Sequence, residues 1–151
     1  MSIADVIVVM KDGRIEDAGP PNRIYLKPRT RFTATFMGET NLLEGRVVEY
    51  ADGTLRVETA LGVLTASGKA AKGDRVHLSI RPEQISLQSA DTQPLAVATV
   101  TESAFFGTHS RCHARAGGTD LLLHLPQKSD IAVGDTLTLH VRPDDVVVLA
   151  D

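Results

Sequence analysis

The stretch Gly73-Asp74-Arg75-Val76-His77-Leu78-Ser79-Ile80-Arg81-Pro82 aligns without a gap to Gly134-Asp135-Thr136-Leu137-Thr138-Leu139-His140-Val141-Arg142-Pro143, sixty-one positions downstream. Gly, Asp, Leu, Arg and Pro are identical in the pair, and apolar residues replace one another at Val76/Leu137 and Ile80/Val141. In each copy Gly-Asp supplies a turn, because glycine accepts positive φ and aspartate bonds its own backbone. Apolar residues at every second position then predict a strand with one buried face. Arg-Pro ends that strand, since proline has no amide hydrogen to give a ladder. An acidic residue and a second short apolar run come next, Glu83 to Leu87 in one copy and Asp144 to Leu149 in the other. The chain therefore holds one β unit twice. Its repeat motif is Gly73, Asp74, Arg81, Pro82 and Glu83 in the first copy, and Gly134, Asp135, Arg142, Pro143 and Asp144 in the second.

Working outward, the same order of strand-like segments precedes each copy. Leu42 to Tyr50, Leu55 to Thr59 and Val63 to Ala66 come before the first; Leu95 to Ala104, Ser110 to Ala116 and Thr119 to Leu125 come before the second. Turns fall at Ala51-Asp52-Gly53, Gly107 and Gly117-Gly118, and polar loops at Ser67 to Lys72 and Pro126 to Val133. About five short strands per half is the strand count of an OB-type barrel, whose closure removes exposed edges. The expected fold is mainly β, a duplicated OB-like barrel with units at about 41–90 and 91–151. Residues 1–40 read differently. Val6 to Met10 has the composition of a buried strand, and Asp12-Gly13 predicts a hairpin into Arg14 to Ala18. Pro20 or Pro21 then opens a helix that runs to Leu26 and stops at Lys27-Pro28. A second short helix is predicted from Thr30 to Met37, with Phe32 and Phe36 on one face and Gly38 as its stop. This segment is too small to hold a core of its own and has to pack against something.

Composition excludes several classes. A length of 151 residues suits one domain, or one with an appendage, and buries about two-thirds of the unfolded surface. The single Cys112 leaves no intramolecular disulfide and fits a reducing compartment. The apolar run near the start is too short for a signal peptide, and none approaches the roughly 18 residues of a membrane helix, so a soluble chain is expected. Net charge is −3 with the two signs interspersed, and there is no Trp, which argues against nucleic acid as a partner.

Candidate chemistry is sparse. Gly62 to Ala70 imitates a phosphate loop, but five residues rather than four separate Gly62 from Gly68, and Ala70 stands where a hydroxyl would reach Mg²⁺. It reads as a strand and a turn. No spacing among His77, His109, His113, His124, His140 and Cys112 matches a metal site, and no nucleophile-elbow motif is present. Arg81 and Arg142, beside Glu83 and Asp144, would bind a small anion or fix a turn through a carboxylate or backbone carbonyl, the second being favoured. Phe105-Phe106-Gly107 reads equally as core or as an exposed loop for a neighbour.

The order of motifs carries a family resemblance. Ile3-Ala4-Asp5, the run to Met10, Lys11-Asp12-Gly13-Arg14-Ile15-Glu16, Gly19-Pro20-Pro21, Ile24-Tyr25, Pro28, Arg31-Phe32, Phe36-Met37-Gly38-Glu39 and Asn41-Leu42 resemble the end of the nucleotide-binding domain of ABC importer ATPases. The importers are those of the maltose, spermidine/putrescine and ferric-iron type. The remainder of the chain, with Arg81-Pro82-Glu83, Phe105-Phe106-Gly107, Arg111, Pro126 and the closing Gly134 to Pro143 unit, resembles that subunit's C-terminal TOBE regulatory domain.

The resemblance implies a remnant of the nucleotide-binding domain at 1–40 and a TOBE domain at 41–151. It implies a cytoplasmic piece, peripheral to the inner membrane in the parent transporter. The partners implied are a second copy through the TOBE domain and, through the missing nucleotide-binding domain, the membrane permease subunits. Walker A, signature, Walker B and switch-histidine motifs do not occur in the sequence, so no ATPase activity and no cofactor are expected here; ATP and Mg²⁺ belong to the parent. Arg111 and Phe105-Phe106 are the expected contact residues. The reading from a different class is an autonomous small-ligand module, since related OB-like domains in molybdate systems hold oxyanions, with Thr108, Ser110 and Lys128 as possible donors.

Overall fold

The computed structural model describes residues 5–126 and 130–151. Lys128 and the Ile3-Ala4 part of the N-terminal motif lie outside the described residues.

The duplication read in the sequence is present down to individual hydrogen bonds. In the first half β3 (Asn41–Ala51), β4 (Thr54–Thr59), β5 (Gly62–Ser67) and β6 (Arg75–Ile80) succeed one another, and in the second β8 (Gln93–Phe105), β9 (His109–Ala116), β10 (Thr119–Pro126) and β11 (Thr136–Val141) do the same. Gly73 and Gly134 both take positive φ, +92° and +96°. Gly73 N donates to Val47 O at 2.7 Å, as Gly134 N does to Val100 O at 2.8 Å. Asp74 Oδ2 accepts from Ala71 N and Asp135 Oδ2 from Ala132 N, both at 2.9 Å. The long strands β3 and β8 each bulge just beyond that point, after Val47 and after Val100. A bulge bends and twists a strand, and here it lets one strand serve both sides of a barrel.

Short strands exchange between the halves, which the repeat alone does not predict. Each Arg-Pro ends its strand and starts a 3-10 turn, Pro82–Gln84 or Pro143–Asp145, that leads into β7 (Ile85–Ser86) or β12 (Val147–Val148). Instead of returning to its own half, β7 pairs with β11 of the second. Reciprocally, β12 pairs with β6 and β5 of the first, closing a barrel in the order β12-β5-β4-β3-β6. The second sheet runs β10-β9-β8-β11-β7 and curls without closing its ladder.

Side-chain amides finish both joins. Gln93, at the start of β8, donates from Nε2 to Thr65 O at 2.7 Å and accepts from Thr65 N at 2.8 Å. Asn41, at the start of β3, does the same to Leu122, with Nδ2 to Leu122 O at 2.9 Å and Leu122 N to Oδ1 at 2.8 Å. An amide presents a donor and an acceptor side by side, so each stands in for one rung of a missing strand.

The inward residues of both sheets make one continuous core, from Leu55, Leu64 and Leu78 of the first to Leu121, Leu123, Leu125 and Leu139 of the second. Residues 5–40 form a hairpin, β1 (Ile7–Lys11) with β2 (Arg14–Gly19), and two short helices, α1 (Pro21–Leu26) and α2 (Arg31–Phe36). Thr30 caps α2, and Phe32 stacks on Phe36 at 5.6 Å. The hairpin corrects the expectation of a buried strand. Only Val9 and Asp17 turn inward, while Val8, Met10 and Ile15 stand exposed on the other face, because two strands and two short helices cannot cover both sides.

Candidate functional site

Of the residues singled out by sequence, Arg81, Glu83 and Arg111 meet at the joint between the leading segment and the two sheets. Arg81 is its centre, 2% exposed. Tyr25 O and Ala34 O, in the last turns of the two short helices, and Gly38 O and Glu39 O just beyond α2 converge on its guanidinium. Nε and Nη2 donate to Tyr25 O at 3.1 and 3.0 Å; Nη1 donates to Ala34 O, Gly38 O and Glu39 O at 2.8, 3.1 and 3.0 Å. The Tyr25 ring covers the cation at 4.2 Å, and the Tyr25 hydroxyl donates to Glu83 Oε2 at 2.5 Å. Burial lowers the Arg81 pKa from its ordinary value, opposed by Tyr25 and Glu83. Arg81 thus holds the leading segment against the barrel through carbonyls of other elements rather than of its own turn.

Its repeat partner Arg142 is exposed. Asp144 is exposed too, and its backbone oxygen accepts from Lys27 Nζ. Burial raises the pKa of the neighbouring Asp145 carboxyl, partly offset by Arg142 and Lys27.

Further contacts lock the segment in place. Asp17 accepts from Arg23 Nη2 at 2.6 Å and from Arg29 N at 3.0 Å. Burial alone would raise its pKa, but these bonds and the Arg23 charge hold the carboxyl below its usual range. The C-terminal tail crosses the other side, where Ala150 N donates to Arg29 O and Arg31 N to Asp151 Oδ1. Ala34, Val147 and Leu149 pack together beneath it.

On the second half, Arg111 reaches the same joint. Its Nη2 donates to Glu39 Oε2 at 2.5 Å, and that bond holds Glu39 below the usual carboxylate range. Glu39 Oε1 lies 3.9 Å from His124 Nε2, a buried atom without a hydrogen-bond partner. The His124 ring sits 4.8 Å from that of His109, on which Phe106 stacks at 5.6 Å. Burial and His109 lower the pKa of His124; Glu83 and Glu39 oppose the shift, and Arg111 adds to it.

His124 gives the joint a pH dependence. Below its unfolded pKa of 6.5 the unfolded chain takes up a proton that the folded imidazole resists, so stability falls as pH drops through that value and on through the folded pKa. His124→Gln is expected to flatten this loss. Thermal melts of both proteins between pH 7.5 and 5.5 check it, and parallel loss in the two would remove His124 as its source.

Phe105, Phe106 and Gly107 form the tip of the β8–β9 hairpin. Both rings are exposed, at 62% and 58%, which resolves the ambiguity between core and loop. Gly107 turns at φ +83°, and Phe106 N closes the tip onto His109 O at 2.9 Å. Of the oxyanion donors, Ser110 is buried within β9 and Thr108 is exposed on the turn. Among the described residues no group of three His, Cys, Asp or Glu is placed to hold a metal ion. Sequence reasoning took Tyr25 and Glu39 only as parts of a motif, and His109 and His124 only as histidines without metal-site spacing, not as members of the joint. The uncapped ends of two short helices were the available signal, because such carbonyls require a donor from elsewhere.

The fold and the motif meet a known family at this point. The TOBE domain family matches residues 78–149. Residues 78–149 are a TOBE domain. That span runs from β6 through β12, so it contains the second sheet and both strands that the exchange places side by side in the first barrel. Outside it the similarity continues over the whole chain. The spermidine/putrescine import ATP-binding protein PotA 1 of Pseudomonas aeruginosa is 34% identical over 158 residues, covering 100% of this chain and 42% of that protein. The sn-glycerol-3-phosphate import ATP-binding protein UgpC of Paraburkholderia xenovorans is 35% identical, over 91% of this chain and 40% of its own length. The Fe(3+) ions import ATP-binding protein FbpC of Rhizobium etli is 33% identical, over 89% and 40%. The chain thus spans about two-fifths of the length of these curated relatives. A molybdate-bound crystal form of the cytoplasmic molybdate-binding protein ModG shares the fold of this chain, with a TM-score of 0.62 over 74% of this chain and 96% of that one, at 12% identity.

Proposed function

We propose that this chain is the regulatory and dimerisation portion of an ABC importer's ATP-binding subunit, without ATPase activity of its own. Residues 1–40 are then the end of the nucleotide-binding domain, and two TOBE domains meet to keep the paired motor domains close. A persistent contact makes re-closure of the motors intramolecular, which raises their effective concentration. In the parent, ATP and Mg²⁺ are held by the nucleotide-binding core, which also docks on the membrane permease subunits from the cytoplasmic side. The transported solute is of the polyamine, sugar or iron type.

The observation that carries this reading is the state of the leading segment. It aligns with importer ATP-binding subunits, Arg81 anchors it firmly, and yet it leaves Val8, Met10, Ile15 and Phe36 exposed, as a fragment cut from a larger sheet would. The exposed Phe105 and Phe106 supply an apolar tip for the contact between copies.

Sedimentation velocity over a concentration series, with phosphate release measured in MgATP, tests both parts. A monomer–dimer equilibrium without hydrolysis is expected, and replacing Phe105 and Phe106 by Ser should weaken the dimer about tenfold or more. Turnover of ATP would sink the reading, as would a monomer that binds spermidine or molybdate saturably in a calorimeter; that last result would point to the autonomous module.

A further inference from the structure

Where the two halves meet, β5 and β8 lie side by side without pairing. A groove of about 320 Å³ opens between them, lined by Leu61, Val63, Gln93, Pro94, Val97 and Thr138 among others, none of its lining residues charged. The outer edge of β5 turns its backbone groups to this side at every second residue, as an antiparallel strand does. Ser67 N donates to Val146 O at 2.9 Å, and Thr65 is closed by the Gln93 amide. Val63 comes next in that series, and nothing among the described residues bonds its backbone from that side. The facing edge of β8 is open in the same way. Val100 directs its N and O to Asp135 and Gly134 on the β11 side, so Ala98 and Ala96 do likewise, and Val97 turns its N–H and C=O to the groove, beyond the end of β9. Both side chains are exposed, Val63 at 44% and Val97 at 63%.

The internal repeat supplies a control. Its counterpart gap lies between β10 and β3, closed by the Asn41 amide on Leu122. Asp120 stands two residues before Leu122 as Val63 stands before Thr65, and Glu44 opposite His77 takes the place that Val97 takes opposite Thr138. Charge on an open strand edge guards it against pairing with another chain. One gap is guarded twice, and the other not at all. The same strands, turns and amide rung form in both, so the fold does not dictate valine at these two places. Asp120 also gains an ion pair with its cross-strand partner Arg115 at 3.4 Å, a contact that Val63, opposite Glu58, gives up. Glu58 itself lies on β4, across β5 from the groove.

We infer that this groove docks an extended, uncharged segment of a partner protein, which adds to the Val63 and Val97 backbone as a short strand and lays apolar side chains beside theirs. Pro94 has no amide hydrogen to offer, which confines the pairing to those two rungs. The uncharged lining selects against acidic and basic segments, because a charge brought into it would lose water without gaining a partner.

The test uses the full 151-residue chain. Its amide NMR shifts are followed on addition of a capped Thr-Val-Thr-Val-Thr peptide, of the same peptide N-methylated at two successive residues, and of one with aspartate for both valines. The plain peptide is expected to give saturable shifts centred on Val63 and Val97, with slowed hydrogen exchange of those two amides. Both altered peptides should bind about tenfold more weakly or worse, one having lost strand donors and the other its apolar contacts. Val63→Asp combined with Val97→Glu copies the guarded gap of the repeat and should weaken the plain peptide to the same degree. Shifts that do not saturate, that centre elsewhere such as the Phe105-Phe106 tip, or an affinity unchanged by N-methylation or by the double variant would overturn the inference. Shifts at Val63 and Val97 that grow with protein concentration in the absence of peptide would overturn it too, by giving the groove to a second copy of the chain. Because peptide binding is read on one chain, the result is separate from dimerisation through the tip and from the transporter assignment.

Discussion

Arg81→Met is expected to lower unfolding stability by about 3 kcal/mol or more, since charged hydrogen bonds contribute about 1.5–3 kcal/mol each and buried carbonyls left without a donor cost about 1–3 kcal/mol. Methionine keeps much of the volume and the apolar stem, so the loss measures the guanidinium rather than a cavity. The carbonyls of Tyr25, Ala34, Gly38 and Glu39 would each lose their donor at once. Arg81→Lys should recover less than half, because one ammonium cannot reach carbonyls spread across a planar fork. Urea denaturation gives the size of the effect, and limited proteolysis gives its place. Cleavage between Lys27 and Glu39 should appear under native conditions in Arg81→Met and be absent from the parent. A loss below about 1 kcal/mol would mean that solvent satisfies those carbonyls and that Arg81 is not the anchor. Tyr25 provides an independent check. Burial, with the Glu83 contact behind it, raises the phenol pKa from 10.0 to about 12. A raised acid pKa stabilises the protein below its unfolded value, so this part of the stability is lost as pH rises from about 10 through about 12, and Tyr25→Phe should not lose it.

Arg81 also marks where the sequence stops being legible. The repeat motif places Arg81 and Arg142 in identical local surroundings, and the backbone honours this: both precede 3-10 turns, with φ and ψ of −68° and 144° in one and −72° and 138° in the other. Local signals of this kind, including the Gly-Asp turns, the alternation through Leu121, Leu123 and Leu125, and the stops at Pro28 and Gly38, depend on neighbours in the chain and so were readable. What sets the two arginines apart is an object from elsewhere, the helical segment whose carbonyls Arg81 bonds, and no residue near position 81 or 142 encodes it. The amide rungs of Asn41 and Gln93 were hidden for the same reason. Each bonds a backbone lying in the other half, 81 residues away for Asn41 and 28 for Gln93. The fold class came through because closure of a sheet depends on strand count, whereas the identity of the closing strand is a question of topology.

Truncation after Asp145 tests that topology and carries the largest expected effect of all. It removes Val146, Val147 and Leu149, which are 0%, 6% and 3% exposed, although they sit at the far end of the chain. Burial of three such side chains contributes roughly 5–8 kcal/mol, comparable to the whole stability of a domain. It also strands Ser67 N and His77 O, which bond Val146 O and Leu149 N at 2.9 Å each. The damage should fall on the half distant in sequence. Hydrogen exchange is expected to show early loss of protection in β5 and β6, residues 62–67 and 75–80, while β9 and β10 stay protected longest. If each half closed on its own strands, as the repeat taken alone would suggest, the order would reverse and β10 with β11 would open first. Adding Val147→Asp as a full-length variant separates loss of the strand from loss of the terminus. It should reproduce the pattern in β5 and β6, because a carboxylate cannot be buried against Ala34 and Leu149 without a partner. Since Leu149 and Ala150 also tie β6 to the leading segment, the same opening is expected to release α2, coupling the exchange of strands in the barrels to the seating of residues 1–40.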